Sequence, residues 1–224
     1  MRERLALALD VDDLDAACRL AARLDPWFGI VKVGLELFSG AGPAAVEALS
    51  SPQRQVFLDL KLHDIPTTVG RAARVAGRLG ASFFTLHCAG GAEMVRAGVE
   101  GLAEGAAEGG HPPPAALGVT VLTSEPDAAA FPVRLEVAAA AGCRGVVCSV
   151  AEVARVKAVG GDLLTVVPGI RLPGGAAHDQ ARVGSPAAAL GAGADVLVVG
   201  RAVTASPDPE AAASELVAAL SDAL

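Results

Sequence analysis

Short apolar runs rich in Val and Leu recur along the chain, separated by Ala-rich stretches with helical spacing. Eight runs stand out: "LALALDV" (5–11), "GIVKVGL" (29–35), "QVFLDLKL" (55–62), "FFTLHC" (83–88), "AALGVTVL" (115–122), "GVVCSV" (145–150), "LLTVVPGI" (163–170) and "ADVLVVGR" (194–201). Helix candidates lie between them: 13–24, 42–50, 68–80, 92–109, 132–142, 150–160 and 185–193, with a last one over 209–224. Strand alternating with helix implies a parallel sheet with crossover connections. Eight such units in 224 residues predict an α/β fold, a (β/α)8 TIM barrel, compact for an architecture that usually takes about 250 residues. A doubly wound open sheet is the alternative. The first strand is not followed by GxGxxG, which weakens that alternative's commonest form.

No linker divides the chain, so a single barrel domain over 1–224 is expected. "EGGHPPPAA" and "RLPGGAAHDQ" are loop-sized. The composition is 52% hydrophobic and 19% charged, ample for a buried core and unlike a disordered chain. With 3% aromatics, that core must be built from Ala, Val and Leu. A net charge of −7 without a basic face argues against a nucleic-acid partner. It leaves room for a local basic pocket that takes an anionic metabolite. No apolar run reaches the roughly 18 residues of a bilayer span, so no membrane partner is expected. "MRERLALALDVDD" begins like a signal peptide, but acids follow at once without a cleavage pattern. It reads as a first strand. Cys18, Cys88, Cys143 and Cys148 form no CxxC pair and read as free thiols in a reducing cytoplasm.

Polar residues break the apolar runs at particular places. Side chains alternate faces along a strand. In "FLDLKL", Leu58, Leu60 and Leu62 share one face and Asp59 and Lys61 the other. With the leucines against the helices, Asp59 and Lys61 face the barrel interior near its C-terminal mouth, where barrel enzymes place their chemistry. A self-satisfying ion pair would explain those two alone. It does not explain Asp10, Lys32, His87, Thr123, Ser124 and Arg201 at the matching ends of other strands. "PGIRLPGG" and "VVGRAVT" follow strands seven and eight, whose loops commonly form a phosphate cup in barrels. Arg171 and Arg201 are therefore candidate phosphate ligands, since Arg offers a planar fork. The loop "LPGGAAHDQARVG" (172–184) is Gly-rich and long enough for a lid. His63, His87, His111 and His178 show no HxH or HExxH spacing, so no metal site is expected.

These motifs resemble the orotidine 5'-phosphate decarboxylase family in its short bacterial form. The resemblance rests on "ALDVDD", "KVGLELF", "DLKLHDIPTTV", "LHCAGG", "VTVLTS", "VPGIR", "DQARV" and "VVGRAVT", in the family's order from first strand to last. "DLKLHDIP" is the most specific. Thr67 stands where Asn is usual, and Ala202 where Pro is usual. The resemblance implies decarboxylation of orotidine 5'-phosphate to uridine 5'-phosphate, the last step of pyrimidine nucleotide synthesis, with no cofactor. It implies an alternating charged network of Lys32, Asp59, Lys61 and Asp64, with Lys61 protonating C6. Asp64 would reach into the partner's site in a homodimer, joined by Thr68. Asp10 and Lys32 would hold ribose hydroxyls, Thr123 the pyrimidine, and Arg171, Gln180, Gly200 and Arg201 the phosphate. A magnesium-dependent sugar-phosphate decarboxylase of the same superfamily and a silent phosphate-binding barrel are the rival readings. "DIPTTV" and "VTVLTS" disfavour the first, and intact Lys61 with both aspartates disfavours the second.

Overall fold

The computed structural model describes residues 1–159, 161–171, 182 and 184–221. Eight parallel strands close into a barrel in sequence order: β1 (Leu5–Leu9), β2 (Ile30–Val33), β3 (Gln55–Leu62), β4 (Phe83–His87), β5 (Ala115–Val119), β6 (Gly145–Val147), β7 (Leu164–Val167) and β8 (Val196–Val199). β1 pairs with both β2 and β8, which completes the closure. The helices in chain order are α1 (Leu14–Leu24), α2 (Leu35–Ala41), α3 (Pro43–Leu49), α4 (Pro66–Gly77), α5 (Gly91–Gly109), α6 (Phe131–Ala140), α7 (Val150–Val159), α8 (Pro186–Gly191), α9 (Arg201–Thr204) and α10 (Pro209–Ser221).

All eight expected strands form, but several stop short of their apolar runs. β5 ends at Val119, not 122, and β7 ends at Val167, not 170. The reason is burial beyond the ladder: Val121 and Ile170 stay buried past the ends of β5 and β7, Ile170 keeping only an isolated bridge to Gly184. Hydropathy therefore does not change where the strand ends. α2 and α9 were not expected. Each is one or two turns long, too short to show a helical period.

Alternation along the strands divides the core in two. Leu5, Leu7 and Leu9 of β1 face outward into the layer between sheet and helices, while Ala6 and Ala8 face inward. The inner cluster also holds Ile30, Phe57, Leu117, Val166 and Val198. Phe57 meets Phe83 edge to face with ring centroids 6.0 Å apart, a favoured aromatic geometry. These side chains fill the barrel, so it is a packed core and not a pore. At the N-terminal end, Asp195 accepts from Lys157 Nζ at 2.6 Å and from Thr165 N and Oγ1 at 2.7 and 2.9 Å. That buttress ties α7, β7 and the start of β8 together, far from the mouth.

α4 begins directly after Asp64 and Ile65, so its placement sets where that loop lies. It packs against α5 through glycines. A Cβ on Gly101 would come within 2.2 Å of Gly70 O, and one on Gly105 within 1.9 Å of Arg74 O. Only hydrogen fits between backbones this close. Arg74 of α4 and Arg78 at its C-cap clasp Glu108 of α5 from the solvent side. Gly105→Ala is expected to force the helices apart and lower stability by about 1–3 kcal/mol, the usual cost of overpacking. The check is the urea midpoint; an unchanged midpoint would contradict the close contact.

Candidate active site

The C-terminal mouth opens on a cavity of about 220 Å³. Inward-facing Phe57 and Val198 contribute apolar wall, and above them the polar groups converge. On one side stand Asp10, Lys32, Asp59 and Lys61, carried by the ends of β1, β2 and β3. The rest of the lining includes Thr123 after β5, Arg171 after β7, and Gly200 with Arg201 after β8, next to β1 in the ring.

The four charged side chains form an alternating row. Lys32 Nζ donates to Asp10 Oδ1 at 3.3 Å and lies 3.6 Å from Asp59 Oδ2. Lys61 Nζ donates to the same Oδ2 at 2.8 Å. Asp10 is exposed at the rim, whereas Asp59 is 8% exposed. A buried carboxylate is costly unless paired, and here two ammonium groups share it. Burial pushes the Asp59 carboxyl up. Lys32 and then Lys61 pull it down, helped by hydrogen bonds from Lys61 and Thr85, and the net position is below the ordinary aspartate value. Gly34 leaves the space around this row open, because a Cβ there would lie 3.1 Å from Lys32 Nζ.

The geometry of β3 differs from the regular strand that simple alternation assumes. Leu58 pairs with Phe84 and Leu62 with Leu86, so three β3 residues stand opposite Thr85 alone. This is an enlarged β-bulge, a device that re-aims side chains next to sites. Lys61 adopts φ +50°, and among the described residues no other non-glycine has positive φ. Leu60 and Leu62 still pack outward against the helix layer. Lys61 still lines the cavity, although its backbone is left-handed.

Asp64 and Thr68 are exposed and lie outside this cavity. Ser124 is exposed too and does not line it, in contrast to Thr123. Gln180 and most of the 172–184 loop lie outside the described residues, as does His178. His63, at the exit of β3, stacks on His87 with ring centroids 5.4 Å apart. His87 Nδ1 accepts from Ala89 N at 3.2 Å. Among the described residues, no group of three or more His, Cys, Asp or Glu is placed to hold a metal ion. Cys88, Cys143 and Cys148 are buried free thiols, each pushed up to about 12 chiefly by burial.

Two features were missed from sequence. One is Thr85, fully buried beside Asp59 and Lys61. The other is Arg182, where the chain returns to the mouth. Its Nη2 donates to the carbonyls of Val121 and Leu122 at 2.8 and 3.2 Å, and its Nη1 pairs with buried Glu152. Glu152 also accepts from Ser149 N at 2.7 Å. "SVAE" fits a capping box, Ser followed three residues later by Glu, and that signal could have exposed Glu152.

The family model described as "Orotidine 5'-phosphate decarboxylase / HUMPS family" matches residues 3–216. The chain belongs to this family. A relative named orotidine 5'-phosphate decarboxylase from Anaeromyxobacter sp. (strain K) is 50% identical, covering 97% of this chain and 98% of its own. One of the same name from Thermobifida fusca is 47% identical over 98% of this chain and 97% of its own. The crystal structure of orotidine 5'-phosphate decarboxylase from Lactobacillus acidophilus superposes with a TM-score of 0.79 at 35% identity. It covers 97% of this chain and 99% of its own. The barrel is thus the family's fold.

With its folded pKa depressed, Asp59 stabilises the fold above its unfolded value, and that contribution fades as pH falls through the folded value. NMR titration of the Asp59 carboxyl is expected to give a midpoint below 3.8, and Lys32→Ala to raise it. A midpoint at or above the ordinary value would show that burial, and not the lysines, dominates.

Proposed function

We propose that this protein decarboxylates orotidine 5'-phosphate to uridine 5'-phosphate and carbon dioxide, the last step of de novo pyrimidine nucleotide synthesis, without a cofactor. The observation that carries the reading is the Lys61 ammonium, held 2.8 Å from a buried Asp59 inside a cavity bordered by Arg171, Gly200 and Arg201. The names of the relatives at 47–50% identity support the nucleotide substrate over a sugar phosphate.

In this reading the bond from C6 to the carboxylate breaks and its electron pair stays on C6. Lys61 Nζ stabilises that charge and delivers its proton to C6. The ammonium groups are fixed before the charge develops, so they stabilise it without reorganising. Asp59 lies beside the departing carboxylate, which raises the ground state. Asp10 and Lys32 hold ribose hydroxyls, and Thr123 meets the pyrimidine. Arg171, Gly200 and Arg201, with Gln180, take the phosphate. Charge-assisted hydrogen bonds there contribute roughly 1.5–3 kcal/mol each. Binding energy from this remote group is expressed in the transition state.

The working unit in this reading is a homodimer of single-domain chains, each spanning 1–224, in the cytoplasm. Asp64 and Thr68, exposed beyond their own cavity, serve the partner's site. Ile65 beside Asp64 is 65% exposed and Leu35 at the mouth is 57% exposed. Large apolar side chains this exposed at a charged rim suit a surface covered by a second copy. The free thiols suit a reducing compartment.

The direct test incubates the protein with orotidine 5'-phosphate and follows ultraviolet absorbance. Turnover is expected to survive excess chelator, and a folded sample without turnover would overturn the reading. Lys61→Ala is expected to lower kcat by at least roughly 100-fold, the scale of general acid catalysis, with the circular dichroism spectrum unchanged. Mixing inactive Lys61→Ala with inactive Asp64→Ala chains is expected to restore partial activity in heterodimers. No rescue in verified heterodimers would place Asp64 in its own subunit's site.

A further inference from the structure

Thr85 of β4 stands opposite the β3 bulge with no solvent exposure. Lys61 N donates to Thr85 Oγ1 at 2.9 Å, and Thr85 Oγ1 donates to Asp59 Oδ1 at 3.0 Å. The direction of both bonds is fixed by chemistry. An amide N–H can only donate and an ionised carboxylate can only accept, so the single hydroxyl proton must point at Asp59. The two carboxylate oxygens are thereby divided: Oδ1 goes to Thr85, and Oδ2 is left facing both ammonium groups.

We infer that Thr85 is a positioning residue for the charged row: its one hydroxyl locks the left-handed backbone of Lys61 and the rotation of the Asp59 carboxylate to each other. Without it, Asp59 can turn Oδ2 away from the lysines, and a half-buried N–H at a strained residue loses its acceptor. Such an arrangement matters for catalysis because small misplacements of a reacting group carry large rate penalties. A merely β-favouring Thr would need only its branched shape, which Val supplies equally.

The inference rests on the proposed decarboxylase reading, and the test separates the two. Thr85→Val keeps the shape and removes the hydroxyl; Thr85→Ser keeps the hydroxyl and removes the methyl. With orotidine 5'-phosphate as substrate, Thr85→Val is expected to lower kcat at least about 10-fold while KM stays within about threefold, the pattern of a lost alignment. Thr85→Ser is expected to keep kcat within about threefold of wild type, since the hydrogen bonds persist. Three results would overturn the inference: Val near the wild-type kcat, Val raising KM at unchanged kcat, or Ser falling as far as Val. Should Thr85→Val fail to fold by circular dichroism and gel filtration, Thr85→Ala replaces it in the same comparison with Ser. A wild-type protein without turnover strikes the decarboxylase reading itself, whereas an active wild type with an unaffected Val strikes the role of Thr85 alone.

Discussion

The Asp59 carboxylate lies between two ammonium groups, 2.8 Å from Lys61 Nζ and 3.6 Å from Lys32 Nζ, just above an apolar barrel core. Neither sign of charge could stay there alone. A lone buried carboxylate would take up a proton, and unpaired ammonium groups would repel each other across the mouth. Held together, they form a row whose charges are fixed before any ligand arrives. The inner layer of Phe57, Ile30 and Val198 keeps water from beneath the row, and the lower local dielectric strengthens each pair. Removing one member leaves the others uncompensated, so the row behaves as a unit and not as a sum of pairs.

That unit requires a strained backbone. Lys61 is left-handed at φ +50°, a conformation that costs a non-glycine residue about 1–3 kcal/mol and that persists only where its surroundings over-determine it. Here those surroundings are visible: the ion pair to Asp59, the hydroxyl of Thr85 and the outward packing of Leu60 and Leu62. The bulge also changes the direction in which the chain leaves the sheet. Within a few residues it reaches Asp64 and the first turn of α4, whose glycine contacts with α5 admit no side chain. One segment thus presents charge inward at Lys61 and outward at Asp64.

The barrel was readable because parallel strands covered on both faces are continuously apolar, and "LTVV" or "VLVV" cannot be mistaken for solvated loop. The charged row was readable for the opposite reason: Asp59 and Lys61 interrupt such a run, and Asp10, Lys32 and Arg201 fall at equivalent strand ends. The strand ends themselves were blurred, because Val121 and Ile170 stay buried after the ladder stops. The bulge was invisible. Strict alternation put Lys61 on the inner face, and the structure reaches the same orientation by another backbone path. Thr85 was overlooked because a Thr inside "FFTLH" reads as an ordinary strand former; its value comes from accepting the Lys61 N–H of a neighbouring strand, a tertiary fact. Arg182 and Glu152 likewise find each other across 30 residues, a distance no local pattern spans.

The mouth separates its tasks by strand. β1 to β3 bring the charged row, and the exits of β7 and β8 bring Arg171, Gly200 and Arg201. In a closed barrel β8 pairs with β1, so the two groups are neighbours around the ring although they are remote in sequence. For a nucleotide this matters. In the proposed reading, an anion anchored on the β7–β8 side fixes one end of the ligand, and Asp10 and Lys32, the proposed ribose ligands, come next around the rim. In that reading the reacting carbon has little freedom but to lie over Asp59 and Lys61. The order of strands thereby converts an attraction for phosphate, which has no chemical selectivity of its own, into alignment at the far end of the substrate. In the proposed reading, closure between β8 and β1 is what makes the phosphate grip and the proton donor parts of one site.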